Sequence, residues 1–531
     1  MDKQNDLALV LDGGSLQIKD VVDVARGGHP VRLDDGAAAR VTECRAWVDQ
    51  VVARGQPAVY GVNTGFGLFA NVNVDSADAA TLSRNLILSH SVGVGEPLPE
   101  DVVRAAMLVR ANTLAIGHSG VRLQTLNTLL AMLNAGVHPV VPEIGSLGAS
   151  GDLAPLSHLV LVMSRGDDAG SGEDESGEAF YRGWRMSGAA AMQQAGIERV
   201  VLGAKEGLAL NNGSTVSAAM GALLVADAER LVNTAEIAMA MSLEAVRGVS
   251  LAFDERLHHA RRHAGQIASA AQIRRLVAGS SLIDAGGRVQ DAYSLRCTPQ
   301  VIGAVRQTVA YTRAAIEAEI NAATDNPLLF LDLPGENKAI SGGNFHGEPV
   351  AFAMDFMGIA MAEVAGIAER RIFRLTDPNL NDGLPAMLVD SGGLNSGFML
   401  AQYTAAALVA DNKVLAHPDS VDSLPTSADQ EDHISNSMNA ARHAWQILRN
   451  VERVVGIELV TAAQALDFRV RADPHVKLGA GTAAAYTRIR QDLSHLKRDR
   501  LMYPDLNRGA ELARSGEVLR AVEEALGSPL E

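Results

Sequence analysis

The clearest capacity for chemistry in this 531-residue chain lies in Gly145-Ser-Leu-Gly-Ala-Ser-Gly-Asp152, and within it in Ala149-Ser150-Gly151. Small residues flank a central serine, so the backbone can fold sharply enough for the Gly151 nitrogen to approach the Ala149 carbonyl. Bond formation there expels one water, and loss of the Ser150 hydroxyl expels a second. The product is a five-membered ring bearing an exposed methylene, a strong electrophile. Taken alone, the triplet reads equally as a turn, since Gly and Ser dominate turns for steric reasons.

Other segments bring further reactive types. Tyr60-Gly-Val-Asn-Thr-Gly-Phe-Gly67 predicts an irregular loop presenting Tyr60, and it lacks the Lys and Ser/Thr of a phosphate-binding loop. His90 falls at the expected end of a helix over 81–90, beside a glycine loop. Asn211-Asn-Gly-Ser214 interrupts a helical pattern and presents Asn212. Gln290-Asp-Ala-Tyr-Ser-Leu-Arg-Cys297 puts Tyr293 and Arg296 on one face if the segment is helical, and a guanidinium matches both oxygens of a carboxylate. Ser341-Gly-Gly-Asn-Phe-His346 presents Phe345 and His346. Gln430-Glu-Asp-His433 precedes a long helix, where capping alone accounts for Glu431 and Asp432. Each segment has a bland reading beside the reactive one: a packing tyrosine, a capping histidine, an Asn-Gly turn, a surface arginine.

Other signatures fail. Asp152 stands where the hydrolase elbow Gly-x-Ser-x-Gly needs its second glycine. Neither His-Glu-x-x-His nor paired Cys-x-x-Cys occurs, so no metal site is expected. His258, His259 and His263 lie among arginines and read as a solvated face.

The elements that must position these groups are mostly helices. Apolar periodicity predicts helices over 16–26, 37–54, 81–90, 99–115 and 123–134, with Asp34-Asp35 capping the second, after an opening strand at 7–11. From residue 217 long Ala-rich helical stretches follow at 217–248, 299–323, 348–374, 395–415 and 437–469. The expected fold is mainly α: a long central helical bundle (216–531) with a smaller N-terminal α-rich domain (1–215) that bears the Tyr60 loop and the Ala149-Ser150-Gly151 loop. The Asp/Glu/Gly/Ser-rich stretch 166–177 reads as a solvated insertion.

Composition narrows the class. A formal net charge of −16 argues against nucleic-acid partners, which need a concentrated basic surface. Cys44 and Cys297, the only cysteines, are too few for a disulfide framework. The start of the chain shows no basic region followed by an apolar one, and apolar runs such as 129–141 are broken by polar residues; a cytoplasmic protein without membrane partners is the expectation.

The joint occurrence of Ala149-Ser150-Gly151, Tyr60 to Gly67, Gln290 to Arg296, Asn344-Phe-His346 and Gln430-Glu-Asp-His433 resembles the aromatic amino-acid ammonia-lyases from about Leu9 to Arg469, and within them the histidine-specific enzymes. The resemblance implies a homotetramer whose active sites draw loops from neighbouring subunits. It implies 4-methylideneimidazol-5-one (MIO), formed from Ala149, Ser150 and Gly151, with no external cofactor. The same resemblance gives Tyr60 as the base for the β-proton, Tyr293 as an aid to proton handling or to the electrophile, Arg296 as the carboxylate clamp, and Asn212, Gln290 and Phe345 as groups around the prosthetic group and substrate. His90 and Glu431 match positions facing an imidazole ring, and Met399 packs beside it. A buried carboxylate accepts a ring N–H, whereas a phenyl ring would leave it unpaired. The implied reaction is deamination of L-histidine to urocanate and ammonia. A tyrosine ammonia-lyase, an MIO-dependent aminomutase and a non-catalytic helical binding or assembly protein remain open. Asn211-Asn-Gly-Ser-Thr215 and Ser435-Asn-Ser-Met438 depart from the usual histidine-enzyme runs.

Overall fold

The computed structural model describes residues 8–67, 71–166 and 175–530. Most of the acidic insertion expected at 166–177, and Leu7 of the opening strand, lie outside the described residues.

The expected helices form where their caps and apolar spacing place them. Asp35–Arg54 starts at Asp34, whose carboxylate accepts from the Ala37 amide, and stops at Gly55 with φ 66°. Glu100–Ala115 opens with two acidic residues in its first turn, favourable to the helix dipole, and every residue from Val102 to Ala115 is buried. This helix is the spine of its unit, and Leu123–Ala135 and Leu153–Met163 are buried along most of their lengths as well. The long helices are Thr215–Ala245, Thr298–Glu319, Glu348–Thr376, Met399–Leu415 and Ser437–Ala472.

Strands are few and short among the described residues: four two-stranded sheets and one of three strands. Leu9–Leu11 pairs in parallel with Val31–Leu33. Val137–Pro139 pairs antiparallel with Glu178–Tyr181, which pairs in turn with Trp184–Ser187. Val94–Pro97 pairs with Pro142–Ile144, which leads directly into the Ser150 loop.

The chain forms two compact units, each discontinuous in sequence. The first comprises residues 1–226, 313–355 and 418–442, and the second residues 227–312, 356–417 and 443–531. A single cut after residue 215 therefore separates the first unit from two of its own segments, those carrying the 341–347 and 426–433 loops. In the second unit Arg371 and Glu458 form a bidentate pair at 2.5 and 2.8 Å, with the Ser242 hydroxyl also donating to Glu458. Both charges are buried, so loss of either partner would strand the other.

Glu348–Thr376 is long and apolar enough to cross a membrane, with a mean hydropathy of 1.7 in its most apolar stretch, 67% of which is buried within the protein. Ala, Gly and Met make this helix apolar all round, as packing on several sides requires. His258 likewise departs from expectation. It is buried, with its ring nitrogens against the Ala252 carbonyl and the Gln266 amide, while His259 and His263 are exposed.

Candidate active site

The loop between Pro142–Ile144 and Leu153–Met163 turns through Gly148 and Gly151, at φ 70° and 76°. A Cβ on residue 151 would sit 2.0 Å from the Gly213 carbonyl carbon, so only glycine fits there. Three distant segments fill the loop's acceptors. The Asn436 amide donates to the Leu147 carbonyl at 2.8 Å, and the Gly347 amide and Ser435 hydroxyl both donate to the Gly148 carbonyl at 3.0 Å. The Ser150 carbonyl receives the Gly213 amide at 3.1 Å and the Asn212 side-chain amide at 2.8 Å. Asp152, fully buried, accepts from the Ser146 hydroxyl and from both the amide and hydroxyl of Ser217. Burial pushes its carboxyl above the usual range, against the pull of those donors.

Ala149 and Ser150 open onto a cavity of about 560 Å³. Tyr60, His90, Asn212, Phe345 and Glu431 line it too, with Leu86, Leu153 and Leu208 supplying apolar wall. The Ser150 hydroxyl donates to Glu431 Oε1 at 2.5 Å, and the Thr426 hydroxyl donates to the other carboxylate oxygen at 3.2 Å. Capping does not describe Glu431: the following helix starts at Ser437, and the carboxylate is turned to Ser150. His90 ends the Ala79–His90 helix with its Nδ1 3.0 Å from the Ser89 hydroxyl. Burial holds its imidazole below the usual histidine range, opposed by the Leu86 backbone and the Glu431 charge, so the ring is neutral at pH 7. The Gly67 amide donates to the Tyr60 hydroxyl at 3.2 Å and orients the phenol, and the Phe66 ring meets it edge-on.

Four expected site residues do not line this cavity. Gln290, Tyr293, Arg296 and Met399 all belong to the second unit. Tyr293–Arg296 is indeed one helical turn, with the Arg296 guanidinium 4.6 Å from the Tyr293 ring centroid, but Tyr293 is 70% exposed. Gln290 and Met399 are exposed as well.

His346, Glu348 and His433 bring metal-ligand atoms within 4.8 Å of one another. His346, however, is committed at both ring nitrogens, to the His433 carbonyl at 3.2 Å and the Glu348 amide at 3.4 Å. Burial also pushes the Glu348 carboxyl up. With both His346 nitrogens engaged and the Glu348 carboxyl pushed up, the trio is ill-suited to a cation, which needs deprotonated, free ligands.

The sequence assigned no role to two residues near this site, Asp152 and Arg110. Arg110 is fully buried and donates to the carbonyls of Ala209 and Asn212. Its one visible signal is a guanidinium set within the apolar run Ala105-Ala-Met-Leu-Val-Arg-Ala111.

Residues 16–491 match the aromatic amino acid lyase family. The chain belongs to that family, a class of carbon–nitrogen lyases. Within it, the chain is 52% identical to a histidine ammonia-lyase of Alkaliphilus oremlandii over 98% of this chain and 99% of that protein. A histidine ammonia-lyase of Caldanaerobacter subterraneus is also 52% identical, over 97% and 98%. Among solved structures, histidine ammonia-lyase from Trypanosoma cruzi superposes with a TM-score of 0.88 at 39% identity, covering 98% of this chain and 96% of that one. Tyrosine aminomutase from Streptomyces globisporus gives 0.91 at 37% identity, covering 99% and 100%.

Proposed function

We propose that this protein eliminates ammonia from L-histidine to give urocanate. The observation that carries the reading is the convergence of Ser150, Glu431 and His90 on one cavity: a nucleophile-accepting loop faced by a carboxylate and a neutral imidazole. A carboxylate accepts the substrate's ring N–H, and the neutral His90 can share the other ring nitrogen. The relatives that share about half of this sequence along nearly its whole length are named for the same reaction.

The Ser150 loop fits the MIO group that the family resemblance implies. Gly151 carries no Cβ to obstruct ring closure and its φ of 76° suits glycine. Two donors already converge on the Ser150 carbonyl, and Ala149 and Ser150 lie at the cavity wall. When formed, the group supplies an electrophilic methylidene that takes up the substrate amine and makes its nitrogen a better leaving group. Around it the chain's own residues bind and orient. Asn212 Oδ1, buried with no donor among the described residues, is available to the substrate ammonium. Tyr60 takes the β-proton, Phe345 and the leucines exclude water, and Glu431 and His90 hold the ring.

We further propose a homotetramer in which Gln290, Tyr293, Arg296 and Met399 of a neighbouring copy complete each site, Arg296 holding the substrate carboxylate. The exposure of Tyr293 supports this, as does apolar surface on Tyr311, Phe356, Ile359 and Tyr403 of the second unit, which suits burial against another copy. Both cysteines are free, in keeping with the cytoplasm.

A tyrosine-specific lyase or aminomutase is the reading to test against, because His90 can also bond a phenol. Glu431 weighs against a phenylalanine-specific enzyme, since a phenyl ring offers the carboxylate no donor. Purified protein is supplied separately with L-histidine, L-tyrosine and L-phenylalanine, and products are followed by near-ultraviolet absorbance and amino-acid analysis. Urocanate from histidine is the expected result; turnover of tyrosine alone, or a β-amino acid product, would sink the assignment.

A further inference from the structure

Behind the Ser150 loop lies a buried cation that none of the roles above employs. Arg110 points into the end of the short Glu206–Asn211 helix, donating to the Ala209 carbonyl at 3.2 Å and the Asn212 carbonyl at 2.8 Å. Its Nε finds no acceptor among the described residues. Among the described residues, no carboxylate forms an ion pair with it. The two that act on it at longer range are otherwise engaged: Asp325 pairs with Lys205 at 2.5 Å, and Asp152 is filled by Ser146 and Ser217. Burial brings the guanidinium down to about 10, which still leaves it charged at neutral pH. The charge is thus spent on backbone carbonyls alone, an uncommon use of a fully desolvated arginine.

The Asn212 carbonyl and the Gly213 amide are the two ends of one peptide unit. The contacts therefore run in series, from Arg110 Nη2–H to the Asn212 oxygen, through that peptide, and from the Gly213 N–H to the Ser150 oxygen at 3.1 Å. Hydrogen bonds in such a chain polarise one another, and drawing electron density to the Asn212 oxygen strengthens the Gly213 donor. The Asn212 side chain, on the same residue, donates to the same Ser150 oxygen at 2.8 Å. In the ring formed from Ala149-Ser150-Gly151 this carbonyl is conjugated with the methylidene, so its oxygen receives electron density when a nucleophile adds.

We propose that Arg110 is a positioning residue that polarises the Ser150 carbonyl through the Asn212–Gly213 peptide and so raises the electrophilicity of the prosthetic group; this rests on the reading of the site given above. A mere helix cap would hold the loop's shape without altering its reactivity. A donor aimed at a developing oxyanion acts most strongly in a dry site.

The test compares wild type with R110Q, which keeps a donor and loses the charge, with R110M, which loses both, and with R110K. Ring formation is read by intact mass, reactivity by the rate at which cyanide bleaches the near-ultraviolet absorbance, and catalysis by kcat and KM for L-histidine. Loss of a full oxyanion donor costs roughly 100-fold or more in kcat, and an effect relayed through one peptide should cost about tenfold. R110Q and R110M should keep the loss of two waters and an unchanged KM, with kcat and cyanide addition both about tenfold slower, and R110K should recover part of both. Should R110M not fold, R110Q decides. Wild-type cyanide addition in the ring-bearing variants overturns the proposal, as does failure of every variant to form the ring, which would place Arg110 before ring closure. A wild-type protein at its unmodified mass overturns the reading of the site together with this inference; a dehydrated wild type with unaffected variants overturns the inference alone.

Discussion

Two glycine-rich loops line the same cavity and are held in opposite ways. The carbonyls of Leu147, Gly148 and Ser150 are each filled by donors from segments 60 or more residues away. The hydrogen bonds of the Tyr60 loop, among the described residues, stay close to home: Asn63 to Pro57 and Val59, Gly61 to Thr64, Gly67 to Tyr60, Gly65 to Val72 and Val74 to Asn63. An electrophile made from backbone must be held before any substrate arrives, because its ring closure depends on backbone geometry. A proton acceptor needs only to reach the substrate, and a locally tied loop suffices to aim it. On the proposed reading, long-range bracing marks the residues that would make the reactive group, and local bracing the residue that would use it.

The largest expected effect separates chemistry from architecture. Ser150→Ala should abolish deamination while helical circular dichroism and thermal midpoint stay near wild type, since the Ser150 contacts to Asn212 and Gly213 run through its backbone. A collapse of folding in S150A would mean the side chain is a structural pin. Next, the two loops should differ in their tolerance of a methyl group. Gly151→Ala forces a Cβ to within 2.0 Å of the Gly213 carbonyl carbon, and the variant should retain both waters in its intact mass and lose activity. Among the described residues, Gly67→Ala meets nothing closer than the Ser427 hydroxyl at 3.7 Å and should cost only the backbone penalty of its positive φ, about 1–2 kcal/mol. Equal damage from the two would erase the distinction drawn between the loops. Tyr60→Phe should lower kcat by roughly 10²–10⁴, as expected for loss of a proton-transferring group, and shift stability by about 1 kcal/mol or less, because one local hydrogen bond is lost. A fall in stability with kcat preserved would make Tyr60 a packing residue.

The smallest effect concerns pH. Burial holds His90, His158 and His258 below the usual histidine range. Once the pH drops below about 6.5 the unfolded chain binds more protons than the folded one. Stability from these groups is therefore full above that value and is lost as the pH falls. The thermal midpoint should be lower near pH 5 than near pH 7.5; a midpoint that rises on acidification would show that other groups dominate.

Much of the helical frame was legible because its signals are local. The expectation of helices at 348–374 and 437–469 differs from Glu348–Thr376 and Ser437–Ala472 by a few residues at one end. The Asp34 cap and Gly55 stop are written in adjacent residues. Strands such as Val137–Pro139 were not, since three residues carry no period and the partner lies some 40 positions on. At the site, His90 and Glu431 were named through resemblance, and their shared cavity is a product of the fold. Arg110 and Asp152 escaped notice because a buried charge and a solvated one are spelled alike; only partners decide between them, and those partners are backbone groups and serines with no pattern of their own. Tyr293 and Arg296, by contrast, were named through a motif and form one helical turn in the second unit.

The proposed reaction requires that Ala149-Ser150-Gly151 become an electrophile, and the intact mass of the freshly purified wild-type chain tests that most directly. It should be lighter than the sequence mass by two waters, with the loss mapping to the peptide that contains residue 150. A mass equal to that of the unmodified sequence would contradict the proposed reaction, whatever the cavity's shape.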